Sequence, residues 1–228
     1  MMSQTILALD ASTEALSIAL LHNDTQYHFF DVCPQQHAQR ILEEVDNLLK
    51  QAQCDISDVD VIGYCQGPGS FTGVRISVSV AQGLAFSSNI PVVGVSSLAM
   101  MAQQAIEQGA QHVLAAIDAR MGEVYLGAFT VVDGIAQLQG EQQVIKPEQV
   151  TNALEHATAV GTGWQAYPEL LSSVDALEAD PSITLPDSRF MLALIKKGLA
   201  DGLATSAAHA QPVYVRDTVT WKKLPGRE

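Results

Sequence analysis

Positive charge is scarce in this chain of 228 residues. Only 12 Lys and Arg stand against 25 Asp and Glu, which gives a formal net charge of -13 and a pI near 4.7. Proteins bind the phosphate backbone of nucleic acids mainly through Lys and Arg, so this balance argues against direct binding of a nucleic acid over the protein surface. A function that involves a nucleic acid would need another chain to make that contact.

Cysteine is scarce too, and histidine is scattered. Cys33, Cys54 and Cys65 are odd in number and have no C-x-x-C spacing, which predicts buried, reduced thiols rather than a disulfide framework. None of the six histidines forms an H-x-x-x-H or H-E-x-x-H pair, and the residue four positions after His37 is Ile41. We therefore expect no metal site built from protein side chains.

Long apolar runs are missing. No stretch approaches the ~20 consecutive apolar residues that a membrane-spanning helix needs. The opening residues, MMSQTILALD, lack the basic segment that begins a secretion signal. We therefore expect a cytoplasmic protein that does not contact a membrane.

The apolar residues that are present, 47% of the chain, fall into short strands and helices. Runs rich in Ile, Leu and Phe predict a three-stranded meander over residues 5–32. Apolar residues at steps of three and four predict a helix over residues 34–52. Strands and helices alternate after it, which gives the order βββαβαβα and predicts an α/β fold.

The opening pattern then returns. Residues 6–24 and 113–134 share a strand that ends in Asp, a short turn that begins with Ala, a Glu, a second strand and a polar turn. This similarity indicates a duplicated βββα unit. We expect two domains, 1–109 and 110–228, of which the second is reduced and ends in a basic tail that begins at Gln211.

The stretch GPGSFTGVR, from Gly67 to Arg75, places three glycines between a strand and a helix. Five residues rather than four separate Gly67 from Gly73 and no Lys follows, so the stretch is not a P-loop. It meets only two of the three glycine positions of the dinucleotide-binding pattern. The simpler interpretation is a tight turn in which Ser70 caps the following helix.

The helix after this turn is small or apolar on two faces. Gly73, Ser77 and Ala81 line one face, and Val74 belongs to the neighbouring face. Two such faces indicate two packing partners. The pattern leaves two possibilities open, since one face could cover the sheet while the other meets a second chain, or both could be buried inside the protein.

Two groups of residues could bind a nucleotide. Asp10 ends the first predicted strand and is followed by Ser12 and Thr13, at a position where open α/β folds place ligands. Gly161 and Gly163, in the stretch VGTGW, could approach a phosphate from the second half of the chain. The alternative interpretation is that Asp10 organises a hairpin turn and that the two glycines only form a turn.

Several stretches together resemble a known family. ILALDASTE, GPGSFTGVRI, PVVGVSSL, DARMGEVYLGAF and PVYVRDTVTWKKLPG are similar to segments of the TsaB family of bacterial tRNA threonylcarbamoyladenosine biosynthesis proteins. The resemblance extends from Ile6 to Gly226, and GPGSFTG-x-R carries most of it. It implies two RNase-H-like lobes of the actin-like ATPase superfamily, in agreement with the duplicated unit.

The resemblance also implies a function. Members of this family are regarded as non-catalytic partners that activate TsaD, the larger homologue that binds a metal and transfers a threonylcarbamoyl group to the adenosine beside the tRNA anticodon. TsaE, a small P-loop ATPase, completes the complex. The chain would then contact tRNA only through the complex and need no cofactor of its own, while ATP could be used by the assembled complex.

The family pairs through its first two long helices, both in a homodimer and in the heterodimer with TsaD. Carried onto this sequence, the resemblance places the partner interface at Ala38, Val45, Gly73, Val74, Ser77 and Ala81. We expect Ser77→Arg or Ala81→Arg to abolish both assemblies and leave the fold intact. The alternative function is a stand-alone ATP-using or peptidase-like enzyme of the actin-like and glycoprotease-like superfamily, with activity lost in Asp10→Ala.

Overall fold

Two five-stranded sheets organise the chain in the computed structural model, which describes residues 4–150, 154, 156–168, 170, 174 and 178–216. The strands of the first sheet lie in the order β3-β2-β1-β4-β5 and those of the second in the order β10-β9-β6-β7-β8. The first half contains β1 (Ile6–Asp10), β2 (Ala15–His22), β3 (Thr25–Val32), α1 (His37–Ala52), β4 (Val61–Gly67), α2 (Phe71–Ser88), β5 (Val92–Ser96) and α3 (Ser97–Glu107). The second half contains β6 (His112–Arg120), β7 (Glu123–Val132), β8 (Ile135–Ile145), β9 (Thr158–Val160), α4 (Thr162–Ala166), β10 (Glu178–Ala179) and α5 (Met191–Ala200).

The two sheets repeat one topology. In each, three antiparallel strands are followed by two parallel ones, so that β1 pairs with β2 and β4 just as β6 pairs with β7 and β9. This confirms the α/β fold of two related lobes that the duplicated pattern predicts. The second lobe is the reduced one, since β9 has three residues and β10 has two.

Local sequence explains the main elements of the first lobe. Strand β1 is apolar throughout and fully buried, because it lies between two strands and is covered on both faces. Helix α1 buries Ile41, Val45, Leu48 and Leu49 on one stripe, as its spacing predicts. It begins at His37, three residues after Pro34, and ends where Gln53 adopts a left-handed conformation with φ 55°.

The two lobes exchange one helix each, which corrects the simple division at residue 109. Helix α3 belongs to the first half of the sequence, yet its Leu98 and Met101 share a core with Val113 and Phe129 of the second sheet. Conversely, α5 near the end of the chain packs against the first sheet, where Ile195 lies in a core with Ile6, Val61 and Met100. The strands of the two sheets thus lie on either side of residue 109, while α3 and α5 each pack on the sheet of the other half of the sequence.

No helix in the described part of the chain is long and apolar enough to span a membrane. All three cysteines are free thiols, and Cys33 and Cys65 are buried while Cys54 is half-buried. The basic tail lies largely outside the described residues, which end at Arg216.

Candidate functional site

The loop after β1 is the first candidate site. Asp10 and Ser12 are fully buried and Thr13 is 9% exposed. One carboxylate oxygen of Asp10, Oδ1, accepts a hydrogen bond from the Ser12 amide at 2.8 Å, and the Thr13 hydroxyl accepts one from the Ala15 amide at 3.4 Å. These local bonds shape the turn between β1 and β2, as the hairpin interpretation predicts.

Burial makes Asp10 electrostatically unusual. Removal from water disfavours the ionised carboxyl and raises its pKa from the usual 3.8 to about 6. Within the described part of the chain, its second oxygen, Oδ2, and the hydroxyl of Ser12 have no hydrogen-bond partner. This carboxyl therefore keeps its proton to a higher pH than an exposed aspartate does.

A cleft of about 1490 Å³ separates the lobes beside this loop. Ser12 and Thr13 line it from the first lobe, and Thr162 lines it from the second. The guanidinium of Arg120, the last residue of β6, crosses it to the Glu14 carboxylate, with the two charged groups 3.0 Å apart. Both side chains are exposed, so this ion pair contributes less than about 1 kcal/mol to stability.

Of the five residues that could bind a nucleotide, only Ser12 and Thr13 line this cleft. Asp10, Gly161 and Gly163 do not line it. A Cβ atom at Gly161 would overlap the carbonyl oxygen of Ala116, and one at Gly163 would also press on Ala116, so both glycines are explained by the close approach of α4 to β6. Gly161 additionally has φ 102°, which favours glycine.

The structure corrects the expected partner residues on α2. Gly73 faces the loop after β1, where a Cβ atom would overlap the Ala11 carbonyl oxygen. Ser77 and Ala81 are fully buried, and the Ser77 hydroxyl accepts a hydrogen bond from the Ala11 amide at 2.8 Å. The small residues of α2 therefore let this helix lie close to the loop after β1 of its own chain, not to a second chain.

Two other expected contacts are also internal. Val45 on α1 and Val74 on α2 are each 3% exposed and lie in the core of the first lobe. Ala38 alone among the six expected partner residues is exposed. A charged side chain at Ser77 or Ala81 would enter this core, so the expectation that Ser77→Arg or Ala81→Arg leaves the fold intact is wrong.

The exposed side of α1 and α2 is a different and more apolar surface. Leu42 on α1 is 55% exposed, and Phe71 and Phe86 on α2 are 56% and 81% exposed. A groove runs between the two helices. We call it the α1–α2 groove, and it is lined by Ala38, Phe71, Thr72, Arg75, Ile76, Ser79 and Val80. The sequence signal for the exposed face of α2 was Phe86, which lies nine residues after Ser77 and therefore on the opposite side of the helix.

His37 begins α1 and is 7% exposed at the edge of the cleft. Four residues on, Ile41 lies in the core of the first lobe. Among the described residues, no three His, Cys, Asp or Glu side chains are grouped so that they could hold a metal ion.

Comparison with known proteins identifies the family. A family model described as TsaD, tRNA N6-adenosine threonylcarbamoyltransferase, matches residues 31–217. The tRNA threonylcarbamoyladenosine biosynthesis protein TsaB of Escherichia coli K12 is 43% identical over 98% of this chain and 99% of its own length. The chain belongs to the TsaB family. The TsaB of Haemophilus influenzae is 41% identical, with 100% of both chains covered.

Solved structures of similar proteins agree with membership of the TsaB family. A structure described as YeaZ from Pseudomonas aeruginosa is 44% identical and superposes with a TM-score of 0.84 over 92% of this chain. A second structure from that organism, described as similar to peptidase YEAZ, gives a TM-score of 0.87 at 44% identity over 93% of the chain. The two-lobed architecture is thus that of close relatives, and the resemblance stated from sequence motifs is confirmed.

Proposed function

We propose that this chain is a non-catalytic subunit that binds and activates TsaD in the formation of threonylcarbamoyladenosine in tRNA. The observation that carries the proposal is the apolar surface shared by α1 and α2, where Leu42, Phe71 and Phe86 are all more than half exposed. Large apolar side chains exposed on two neighbouring helices, with a groove between the helices, indicate a contact surface for another protein. The names of the relatives support the pathway, tRNA threonylcarbamoyladenosine biosynthesis, and TsaD as the partner is part of the proposal.

The size of this surface suits such a partner. Helix α2 has 18 residues and is therefore about 27 Å long. A specific protein interface buries about 1,200 Å² or more in total, which two adjacent helices on each side can supply. The same surface would form a homodimer when the chain is alone, so self-pairing and pairing with TsaD would compete.

The net charge of the chain and the cleft between its lobes bear on how tRNA and a nucleotide would contact the complex. With a net charge of -13, the chain contributes little attraction for phosphate, and tRNA would contact it only through the complex. TsaE would join the complex, and ATP would be used there. The interlobe cleft, lined by Ser12 and Thr13, remains the place where a nucleotide could enter this subunit.

Ser79→Arg is expected to abolish both the homodimer and the TsaD heterodimer. Ser79 lines the α1–α2 groove and is exposed, so a long charged side chain there blocks the groove without entering the core. Light scattering of the variant, alone and mixed with TsaD, measures both assemblies. Gln51→Arg adds the same charge at an exposed position of α1 that does not line the groove, and it should leave both assemblies unchanged.

Reconstitution tests the function itself. Adenosine modification in tRNA is measured with TsaD, TsaE and the metabolites that TsaD consumes, with and without this chain. We expect modification to depend on the chain and to be lost with Ser79→Arg but kept with Gln51→Arg. Equal modification without the chain would refute the proposal, and turnover of ATP or a peptide by the purified chain alone would favour the enzyme alternative.

A further inference from the structure

Three side chains contact one another beside the α1–α2 groove, of which Phe71 and Arg75 line the wall and Tyr214 lies next to them. The guanidinium carbon of Arg75 lies 3.7 Å from the centre of the Phe71 ring, in the first turn of α2. The Tyr214 ring stacks on Phe71 with 5.8 Å between ring centres and 28° between their planes, and its centre is also 5.9 Å from the Arg75 guanidinium carbon. The Nε of Arg75 donates a hydrogen bond to the Tyr214 hydroxyl at 2.9 Å. The three groups therefore hold one another in a single arrangement.

Tyr214 belongs to residues 211–216, which we call the strap and which is fixed to both lobes. The Val213 amide donates to the carbonyl of Gln66 at 2.7 Å, at the end of β4 in the first lobe. The Arg216 guanidinium pairs with the Glu123 carboxylate of β7 in the second lobe, 2.5 Å away, and is only 15% exposed. Since the strap is tethered on either side of Tyr214, its ring is positioned before any partner arrives.

Arg75 is the single charged residue of α2, and only its Nε is occupied. Within the described residues, its two terminal nitrogens make no hydrogen bond or ion pair. A planar guanidinium that is fixed on an aromatic ring, with both terminal nitrogens free, suits bidentate binding of a carboxylate. Phe71 and Tyr214 remain about half exposed, at 56% and 46%. Tyr and Arg side chains of this kind dominate the energetics of protein interfaces.

We infer that Arg75 is a specificity-determining residue of the α1–α2 groove and binds a carboxylate of the partner protein, with Tyr214 as the residue that positions it. The inference rests on the proposed function and deepens it. A protein carboxylate fits better than an RNA phosphate, because Arg75 stands alone on an uncharged helix of a chain with net charge -13, whereas RNA binding needs several cations together. RNA binding is therefore an outcome that the test must be able to reveal.

Titration calorimetry with purified TsaD provides the test. Arg75→Lys keeps the charge but loses bidentate geometry and stacking, and we expect affinity for TsaD to fall roughly 10-fold or more. Tyr214→Phe keeps the ring but removes the hydroxyl that holds Arg75, and it should weaken binding to a smaller degree. The double variant should be no weaker than Arg75→Lys alone, because Tyr214 acts through Arg75. Circular dichroism checks that each variant is folded.

Chemical cross-linking identifies the group that Arg75 meets. Arg75→Lys introduces a primary amine, which a zero-length carbodiimide reagent joins to an adjacent carboxylate as an amide with loss of water. At saturating TsaD, mass spectrometry should find a cross-link from position 75 to an Asp or Glu of TsaD. Arg75→Gln lacks the amine and should give none.

The outcomes separate this inference from the proposed function. Suppose that Ser79→Arg abolishes TsaD binding while Arg75→Lys and Tyr214→Phe bind as tightly as the natural chain. The α1–α2 groove is then the TsaD-binding site, and the role of Arg75 is refuted. If Arg75→Lys keeps its affinity for TsaD and lowers only the affinity of the complex for tRNA, the ligand is a phosphate and the inference is refuted. If tRNA were modified equally well without this chain in the reconstitution, the proposed function itself would be refuted, whatever the Arg75 variants show.

Discussion

Gly73→Ala is expected to lower the free energy of unfolding by roughly 3 kcal/mol or more, or to prevent folding. The added Cβ atom would overlap the carbonyl oxygen of Ala11, which is backbone and cannot rotate away. Helix α2 would have to move off the loop after β1, and this would also break the bond from the Ala11 amide to the Ser77 hydroxyl. Thermal and urea unfolding followed by circular dichroism measures the loss.

Gly83→Ala is the matched control on the same helix. Gly83 is exposed, and a Cβ atom there would meet nothing within 4 Å. Alanine favours a helix over glycine by up to about 1 kcal/mol, so this variant should be slightly more stable than the natural chain. Equal and small effects of Gly73→Ala and Gly83→Ala would show that α2 does not lie as closely on the β1 loop as the structure has it.

Local pattern was enough to predict the order of strands and helices along the first lobe. The spacing of Ile41, Val45 and Leu48 places α1 correctly, because a helix with one apolar stripe has one way to bury it. Ser70 was identified as the cap of α2, and its hydroxyl accepts from the Gly73 amide at 3.4 Å. The repeated strand pattern predicted the second sheet, since each copy encodes the same antiparallel meander.

The orientation of α2 could not be predicted in the same way. Its small residues at steps of four and its Val residues form two comparable stripes, so hydrophobic periodicity does not distinguish the face on the sheet from the face toward a partner. The distinction depends on Ala11, which contacts Gly73 and Ser77 from another part of the sequence. Only the folded backbone shows which face of α2 needs small side chains.

Contacts between distant residues explain the other differences. Arg75 and Tyr214 are 139 positions apart, and neither carries a local signal for the stack that they form. The apolar residues of α3 and α5 do not indicate which of the two sheets each helix covers. Their positions, α3 on the second sheet and α5 on the first, are seen only in the folded chain. The sequence left a phosphate site and a plain turn open for Gly161, because glycine turns look alike, and only the contact with Ala116 explains why a side chain is excluded there.

Asp10→Asn is expected to stabilise the protein at neutral pH by up to about 3 kcal/mol. Burial raises the pKa of Asp10 in the folded protein from 3.8 to about 6, so the folded chain holds this proton more tightly than the unfolded chain does. Between pH 4 and 6 the folded state thus binds more protons, and stability falls as the pH rises. A difference of about two pKa units corresponds to about 3 kcal/mol. Asparagine remains neutral and can still accept the hydrogen bond from the Ser12 amide.

Urea unfolding of both chains from pH 4 to pH 8 tests this effect. Near pH 4 the two chains should have similar free energies of unfolding, and the advantage of Asp10→Asn should grow through pH 5 and level off above pH 6.5. Asp46→Asn, which removes an exposed carboxylate paired with Lys50 on α1, should change stability by only about 0.5 kcal/mol. If the advantage of Asp10→Asn did not change with pH, ionisation of the buried Asp10 carboxyl would not be what destabilises the natural chain. A loss of stability at pH 8 would mean that neighbouring groups in the loop after β1 stabilise the ionised carboxylate, and the expected cost of burying it would be refuted.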